Sequence, residues 1–282
     1  MSDVFRILSP MRQSSAFVFA SPHSGRAYTP AFLEQSVLSA DLIRTSEDAF
    51  VDQLFADAPL FGAPLLLADV PRAYLDLNRA PDELDPALIT GVARMAHNPR
   101  VSSGLGVIPR VVAGGRQIYR GKLSLAEAEA RIARFWHPYH RALRQLMDDT
   151  HARFGEATLI DCHSMPHEAI EGHARLGKAC PEVVLGDRFG ASANREVMDR
   201  VEAAFAAAGL RVARNTPFAG AFVTQSYGRP SAGRHAIQVE IDRSLYMHEA
   251  SLTPRADFQA FRALINGVMA EVTGQALQLA AE

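Results

Sequence analysis

Short runs of consecutive apolar residues recur along the chain, and turn-forming residues bound them. A run that is apolar at every position is typical of a strand covered on both faces, as in largely parallel sheets. The pattern therefore predicts buried strands at residues 16–20, 64–69, 157–162, 182–185, 210–213 and 236–241.

Between these runs, apolar residues recur at spacings of three and four, which predicts helices. Thr29 is the expected cap of the first helix, since proline follows it at the first helical position. Ser46 is the expected cap of the second, which would place Glu47 and Asp48 in its first turn. Pro138 is expected to kink or interrupt the longest helix. The predicted helices cover residues 30–38, 48–61, 124–154, 191–208 and 257–277.

The alternation of strands and helices predicts an α/β fold. We expect residues 1–282 to form a single domain with a mixed, largely parallel sheet flanked by helices. Residues 78–121 carry many prolines and glycines with little periodicity, which predicts a long irregular segment over the surface. Such segments are often functional, because exposed backbone is rarely held in place without a reason.

The composition excludes several classes of protein. With 48% hydrophobic and 21% charged residues and a net charge of −2, the chain resembles neither a nucleic-acid-binding nor a membrane protein. Its two cysteines show no CxxC spacing, which argues against a disulfide framework and fits a reducing compartment. The first ten residues lack the pattern of a secretion signal, so we expect a cytoplasmic location. No feature of the sequence indicates an oligomeric state.

Two histidines follow predicted strands. His23 lies in Pro22-His23-Ser24-Gly25 after the first run, and His163 lies at the end of the run beginning at Ala157. Sites in parallel sheets form where strands end, so the two imidazoles are expected to be neighbours. A catalytic zinc ion takes three protein ligands from His, Asp and Glu. Glu47 and Asp48 are the candidates for the third, although acids in the first turn of a helix are also favoured by its dipole. For either histidine alone, a local hydrogen bond at the strand end is the better explanation.

Glu240 lies within the apolar run 236–241. A buried carboxylate costs several kcal/mol unless it is paired or faces a solvated cleft, so Glu240 predicts either a salt bridge or a general base beside a metal. Arg72, Asn78 and Arg79 follow the strand at 64–69. The planar fork of arginine matches a carboxylate, which suits an acidic substrate or an oxyanion, and ion pairs with nearby aspartates are the alternative.

These motifs resemble those of the N-formylglutamate amidohydrolase family, which is distantly similar to metallocarboxypeptidases and aspartoacylases. The resemblance extends over most of the chain. Its most specific parts are the runs Asp76-Leu77-Asn78-Arg79 and Asp161-Cys162-His163-Ser164. The weaker parts are Pro22-His23-Ser24-Gly25, Ser46-Glu47-Asp48, Trp136, Pro138-Tyr139-His140, Gly220 to Thr224, Gln238-Val239-Glu240 and Leu245-Tyr246-Met247.

The resemblance implies a phosphorylase/hydrolase-like fold, similar to that of zinc carboxypeptidases, and a zinc-dependent hydrolysis of N-formyl-L-glutamate in histidine degradation. It implies that the metal ligands are His23, Asp48 and His163, with Asp48 preferred to Glu47. It implies the catalytic residues Glu240, as general base, and Arg72, which polarises the scissile carbonyl. It implies that the substrate, a small acidic N-acyl amino acid, binds Asn78, Arg79 and Thr224.

The sequence departs from the related patterns at two positions. Metallocarboxypeptidases have a glutamate three residues after the first histidine, where this chain has Arg26, so the carboxylate ligand must come from elsewhere. Phe222 cannot donate a hydrogen bond at a position where relatives often carry a polar aromatic residue or histidine. The alternatives are therefore a zinc amidase or carboxypeptidase acting on another N-acyl amino acid or a peptidoglycan fragment, and a non-catalytic relative that binds an acidic ligand.

Overall fold

A seven-stranded sheet organises the computed structural model, which describes residues 4–92, 98–172 and 180–275. Its strands are β1 (Phe5–Leu8), β2 (Phe17–Ser21), β3 (Leu65–Ala68), β4 (Ala157–Met165), β5 (Val183–Gly186), β6 (Val212–Arg214) and β7 (Arg234–Asp242). Their order across the sheet is β1-β3-β2-β4-β7-β5-β6. The strand β2 pairs in parallel with β3 and β4, β4 with β7, and β5 with β6, whereas β7 and β5 are antiparallel. The predicted α/β class with a mixed, largely parallel sheet is confirmed.

Helices connect the strands. The α-helices are Pro30–Gln35, Ala40–Ile43, Val51–Leu54, Pro99–Ser102, Leu125–Arg131, His137–Phe154, Glu168–Glu171, Arg195–Ala207, Phe222–Tyr227 and Phe258–Thr273. As predicted, the Thr29 side chain caps the first of them by accepting a hydrogen bond from the Phe32 backbone amide. None of the helices within the described residues is long and apolar enough to cross a membrane.

The chain divides into two compact units, and most of the sheet belongs to one of them. This sheet unit comprises Ile7–Ser21, Asp48–Leu67 and Leu143–Glu282. Its apolar core includes one face of β4 and β7, where Ile160, Cys162, Ile237, Val239 and Ile241 pack with the two long helices that begin at Arg195 and Phe258. Neither Cys162 nor Cys180 forms a disulfide.

The other unit, here called the loop unit, comprises Met1–Arg6, Pro22–Glu47 and Ala68–Ala142. It includes the segment expected to be irregular, residues 78–121, whose described residues (78–92 and 98–121) form two-residue strands, short helices, turns and loops. Arg131 is buried here, with its guanidinium 3.9 Å from the centre of the Tyr74 ring and its Nη1 donating to the Tyr119 hydroxyl at 2.7 Å. The prediction that residues 1–282 form one domain stays a prediction.

Residues 48–61 do not form the single helix that their spacing predicts. Phe50 has a left-handed backbone conformation with φ of 66°, and the α-helix begins only at Val51 and ends at Leu54. A 3-10 turn follows at Ala58–Phe61. Asp48 therefore precedes the helix instead of lying in its first turn, and Ser46 belongs to a preceding 3-10 turn and does not cap it. A favourable interaction with a helix dipole therefore does not explain why residue 48 is an aspartate.

The interruption expected at Pro138 takes the form of a π-helical turn, Ile132–Trp136, directly before the helix His137–Phe154. Proline cannot donate a backbone hydrogen bond, and a single wider turn is a common way for a helix to absorb that loss. Several elements have no counterpart in the sequence-based prediction, among them the half-exposed strand β1 and the helix Phe222–Tyr227.

Candidate active site

Four polar side chains share one face of the two central strands. His163 on β4 lies opposite Glu240 on β7 in the parallel register, and Asp161 lies opposite Gln238. Because alternate residues of a strand point to the same side, these four side chains lie together on the face opposite the apolar core. All four are at most 7% exposed. His163 is inside β4, which continues to Met165, and not at the strand end where the sequence places it.

Asp48 contacts His163 directly. Its Oδ2 lies 3.0 Å from Nδ1 of His163, and its Oδ1 accepts a hydrogen bond of 2.9 Å from Nη2 of Arg243. Arg243 is itself held by Ser164, whose Oγ accepts from Nε at 3.1 Å. The two oxygens of Asp48 therefore face different partners. Arg243 has no counterpart among the predicted site residues, because it lies 195 positions from Asp48 in the sequence.

Glu47 has a different environment from its neighbour. Arg44 donates to both of its carboxylate oxygens, from Nε at 2.9 Å and from Nη2 at 3.1 Å. Such a bidentate pair satisfies both oxygens of a carboxylate. Of the two acids that the sequence leaves open as a metal ligand, Asp48 is the one beside His163.

His163 lies between two carboxylates. Its Nδ1 faces Asp48, and its Nε2 lies 2.9 Å from Oδ2 of Asp161. Burial of the imidazole lowers its pKa, but the charge of Asp161 and the hydrogen bonds to Asp161 and Asp48 outweigh that effect and hold the pKa of His163 well above its usual value. The sequence places Asp161 two residues before His163, where it could orient an imidazole or cap a turn, and in the structure it contacts the imidazole.

Asp76 is the partner of His23 in the loop unit. Its Oδ1 lies 2.7 Å from Nε2 of His23 and also accepts from the Asn78 backbone amide at 2.8 Å, while its Oδ2 accepts from Nε of Arg72 at 3.1 Å. Burial raises the pKa of Asp76, but His23, Arg79 and Arg72 outweigh it and hold the pKa well below its usual value. One carboxylate thus connects a candidate metal ligand to the residues expected to bind substrate.

The chain around His23 is held close to a neighbouring loop. A side chain at Gly25 would place its Cβ 2.2 Å from the carbonyl oxygen of Val70, which no residue other than glycine can tolerate. The Ala27 backbone amide donates to the carbonyl of Asp69 at 3.0 Å. The glycine of the Pro-His-Ser-Gly motif therefore fixes the path of the chain two residues after the histidine.

The segment Asp76-Leu77-Asn78-Arg79 is held through its backbone. Nε1 of Trp136 donates to the Arg79 carbonyl, and Nε2 of His140 bonds to the Leu77 carbonyl, both at 2.9 Å. Arg79 is nearly buried, and it donates from Nε to Leu105 at 3.0 Å and from Nη1 to the Asn78 carbonyl at 2.7 Å. The motif residues Trp136 and His140 therefore fix the position of Asn78 and Arg79.

Three buried side chains could hold a metal ion. His23, Asp48 and His163 each offer one ligand atom, and these atoms lie within 4.8 Å of one another. Two imidazoles and a carboxylate are a common donor set of catalytic zinc sites. The other imidazole nitrogen of a metal-binding histidine is usually bonded to a carboxylate or carbonyl, which fixes the ring. Asp76 does this for Nε2 of His23, and Asp161 for Nε2 of His163, so Nδ1 is the ligand atom that fits both rings.

Thr224 lies in the sheet unit, in the helix Phe222–Tyr227. It is buried, and its hydroxyl donates to the Ala221 carbonyl at 2.9 Å. Gly220, two residues before this helix, has a φ of 103°, a conformation that favours glycine. The segment 218–220 passes close to the sheet, because a Cβ on Gly186 would lie 2.7 Å from the backbone of Ala219 and Gly220.

The other histidines that the structure describes are not part of the metal-binding group. His167 follows β4, and its Nδ1 lies 2.8 Å from Oδ2 of Asp242. It is 43% exposed. His167 and His173 both follow His163 in a stretch of sequence whose position suggests a role in substrate entry. His173 lies outside the described residues.

Comparisons with known proteins place these motifs in one family. Residues 15–247 match the family model described as N-formylglutamate amidohydrolase. The chain is 32% identical over 268 residues to the N-formylglutamate deformylase of Pseudomonas aeruginosa, which covers 93% of this chain and 94% of that protein. It is 29% identical over 247 residues to the enzyme of the same name from Pseudomonas putida, covering 86% of each.

The fold is similar to those of two solved structures. The crystal structure of N-formylglutamate amidohydrolase from Ralstonia eutropha aligns with a TM-score of 0.89 and 33% identity, covering 96% of this chain and 97% of that one. A gene product of Agrobacterium tumefaciens aligns with a TM-score of 0.66 at 16% identity, covering 96% and 94%. At that identity, the second alignment shows a shared fold and nothing more.

Proposed function

Because the chain belongs to the N-formylglutamate amidohydrolase family, whose members hydrolyse an amide, we propose that it converts N-formyl-L-glutamate and water to formate and L-glutamate. One structural observation supports this proposal in addition to the family membership. The motif residues His23, Asp48 and His163 form a buried group with the donor set of a metallohydrolase.

The metal that we propose for this group is one zinc ion, held by His23, Asp48 and His163. A divalent ion bound there would act as a Lewis acid and would make a water molecule more acidic. The chain supports such a site through two further carboxylates. Asp76 and Asp161 each bond to Nε2 of one histidine and so fix the plane of the ring and the tautomer. Arg243 fixes Asp48 by occupying its Oδ1.

Glu240 is the proposed general base. It lies opposite His163 in the register of β7 and β4 and is 7% exposed, so its carboxylate is close to the metal-binding group and shielded from bulk water. It would take a proton from the attacking water as the new C–O bond forms at the formyl carbon. It would then give that proton to the departing nitrogen as the C–N bond breaks, releasing formate and the free amine of glutamate.

The basic residues of the loop unit suit an acidic substrate. We propose that Asn78 and Arg79 bind a substrate carboxylate, that Arg72 polarises the formyl carbonyl, and that Thr224 contacts the bound substrate. Arg72 is anchored by Asp76 at Nε, and its side chain is 25% exposed. Arg79 is held by two backbone carbonyls and is pre-organised for a planar anion.

The purified protein is expected to release formate from N-formyl-L-glutamate with a higher kcat/KM than from N-acetyl-L-glutamate, N-formyl-L-alanine or short peptides. The reason is that the proposed site has cationic groups for the acidic part of the substrate. A coupled formate dehydrogenase assay measures the product directly. Preferred cleavage of the acetyl compound or of peptides would instead favour a different amidase or a carboxypeptidase. Binding of N-formyl-L-glutamate without turnover in the presence of zinc would favour a non-catalytic protein.

Asp76→Asn is expected to weaken metal binding by about 10- to 100-fold. Asparagine has nearly the same shape, but it loses the negative charge that orients His23 and pairs with Arg72. Competition with a chromogenic chelator measures the dissociation constant of zinc. The matched control is Asp82→Asn in the same unit, because Asp82 is exposed. An unchanged zinc affinity in a correctly folded Asp76→Asn protein would show that Asp76 does not support the metal ligand.

A further inference from the structure

We propose that Gln238 is a positioning residue that fixes the carboxylate of Glu240 and connects it to the backbone of the segment 219–221. The inference rests on the proposed role of Glu240 as general base. Gln238 lies two residues before Glu240 on β7, and both side chains are nearly buried on the polar face of the sheet. Nothing in the roles proposed above involves Gln238.

The orientation of the Gln238 amide follows from its neighbours. The Ala221 backbone amide donates to Oε1 of Gln238 at 3.1 Å. A backbone N–H can only donate, so it must meet the carbonyl oxygen of the side chain, and the NH₂ group must face the other way. That NH₂ group donates to Oε1 of Glu240 at 2.7 Å. The hydrogen bonds therefore run in one direction, from Ala221 through Gln238 to Glu240.

The positions of Gln238 and of the Ala221 amide are fixed by the surrounding backbone. Gln238 is paired with Asp161 on one side and with Gly186 on the other, so β7 is fixed between two strands at this residue. Because Gly186 has no side chain, the backbone of Ala219 and Gly220 can pack directly against it. A Cβ atom at residue 186 would lie only 2.7 Å from that backbone. The Ala221 amide follows directly and points at Gln238. Packing of backbone against backbone thus sets the position of the donor.

The strand does not by itself fix the orientation of the Glu240 carboxylate. The torsion that rotates a glutamate carboxylate is broad and has no sharp staggered minima, so the strand alone does not fix the plane of the two oxygens. A hydrogen bond from an amide to an ionised carboxylate is stronger than one between neutral groups and directs one oxygen toward the donor. With Oε1 directed toward Gln238, the orientation of Oε2 is set as well. Gln238 thereby determines where the base presents its proton-accepting oxygen.

Gln238→Met removes the amide and keeps the size and shape of the side chain. We expect kcat on N-formyl-L-glutamate to fall by about 10- to 100-fold because the base is misplaced. We expect KM to change by less than about twofold, since Gln238 acts on the base and not on the substrate. Gln145→Met, at an exposed glutamine of the long helix, is the matched control and should leave both constants unchanged. An unchanged kcat for Gln238→Met would overturn the proposal.

A double-mutant cycle separates positioning from a general structural role. In the Glu240→Gln background the base is already lost, so adding Gln238→Met should lower the residual kcat no further. A further fall of the same size as in the wild-type background would mean that Gln238 acts on the structure and not through Glu240. Should Gln238→Met fail to fold, Gln238→Leu serves instead, because leucine is also apolar and cannot donate a hydrogen bond to Glu240. It is expected to lose kcat to a similar extent, and retention of the wild-type kcat would overturn the proposal.

A structural readout keeps this inference distinct from the proposed function. In crystals of the wild type, the Glu240 carboxylate should be ordered with Oε1 toward Gln238, and in Gln238→Met crystals it should rotate or become disordered. An unmoved carboxylate would overturn the positioning role even in an enzyme with normal activity. If the wild type does not hydrolyse N-formyl-L-glutamate, the proposed function fails, while the crystal comparison still decides the role of Gln238.

Discussion

Glu240→Gln is expected to lower kcat for N-formyl-L-glutamate by about 10²- to 10⁴-fold, the range in which a general base contributes to a hydrolysis. Glutamine keeps the size of the side chain and can still accept a hydrogen bond from Gln238, but it cannot take a proton from water. Because the substitution leaves His23, Asp48 and His163 in place, bound metal and KM should stay close to the wild-type values. Steady-state kinetics together with metal analysis of the same preparation measure both quantities.

The control for Glu240→Gln is the same substitution at Glu196, an exposed residue in the first turn of the helix Arg195–Ala207. Glu196→Gln should behave like the wild type. Turnover by Glu240→Gln within about twofold of the wild type would remove Glu240 from the mechanism. A loss of bound metal in parallel with the loss of activity would assign Glu240 to the metal site instead.

Removal of metal by prolonged dialysis against a chelator is expected to lower kcat by roughly 100-fold or more, and added zinc should restore it. The described site brings the carboxylates of Asp48 and Asp161 to one imidazole, and a divalent cation would neutralise that negative charge. His163→Ala should bind metal too weakly for stoichiometric loading, and zinc should not restore its activity. Mass-spectrometric metal analysis alongside the formate assay follows both changes.

His137→Ala is the control for the metal experiment, because His137 is exposed on the long helix. It should retain full metal content and respond to the chelator like the wild type. Full activity in a protein stripped of metal would exclude the metal-dependent mechanism. Restoration of His163→Ala by zinc would show that the ligand set has been assigned incorrectly.

The sequence predicts the fold well, because burial determines the composition of the strands. Six of the seven strands are recognisable as apolar runs, and the exception, β1, is partly exposed and carries Arg6. The family resemblance inferred from the motifs is confirmed by the match over residues 15–247. Helices are predicted less well where the backbone departs from regular geometry. No periodicity indicates the left-handed conformation of Phe50, which ends the predicted helix over residues 48–61.

Contacts between distant residues are the part of the site that sequence patterns do not predict. His23 and His163 could be proposed because each follows or ends an apolar run. Arg243 could not, because it meets Asp48 across 195 positions, and neither motif spacing nor residue type indicates the pair. The same holds for Asp76, which the sequence suggests only as an ion partner of arginines and which also binds His23. A polar residue in an apolar strand is informative about burial: Glu240 and Gln238 both lie nearly buried on the polar face of the sheet.

The order of strands in the sheet has a consequence for how the chain is made. The strand β7 lies between β4 and β5, yet both are synthesised before it. Until residue 242 has left the ribosome, β4 and β5 each present an unpaired edge, and such edges promote association with other chains. A truncation ahead of residue 234 would thus be expected to produce inclusion bodies and not a soluble, inactive fragment.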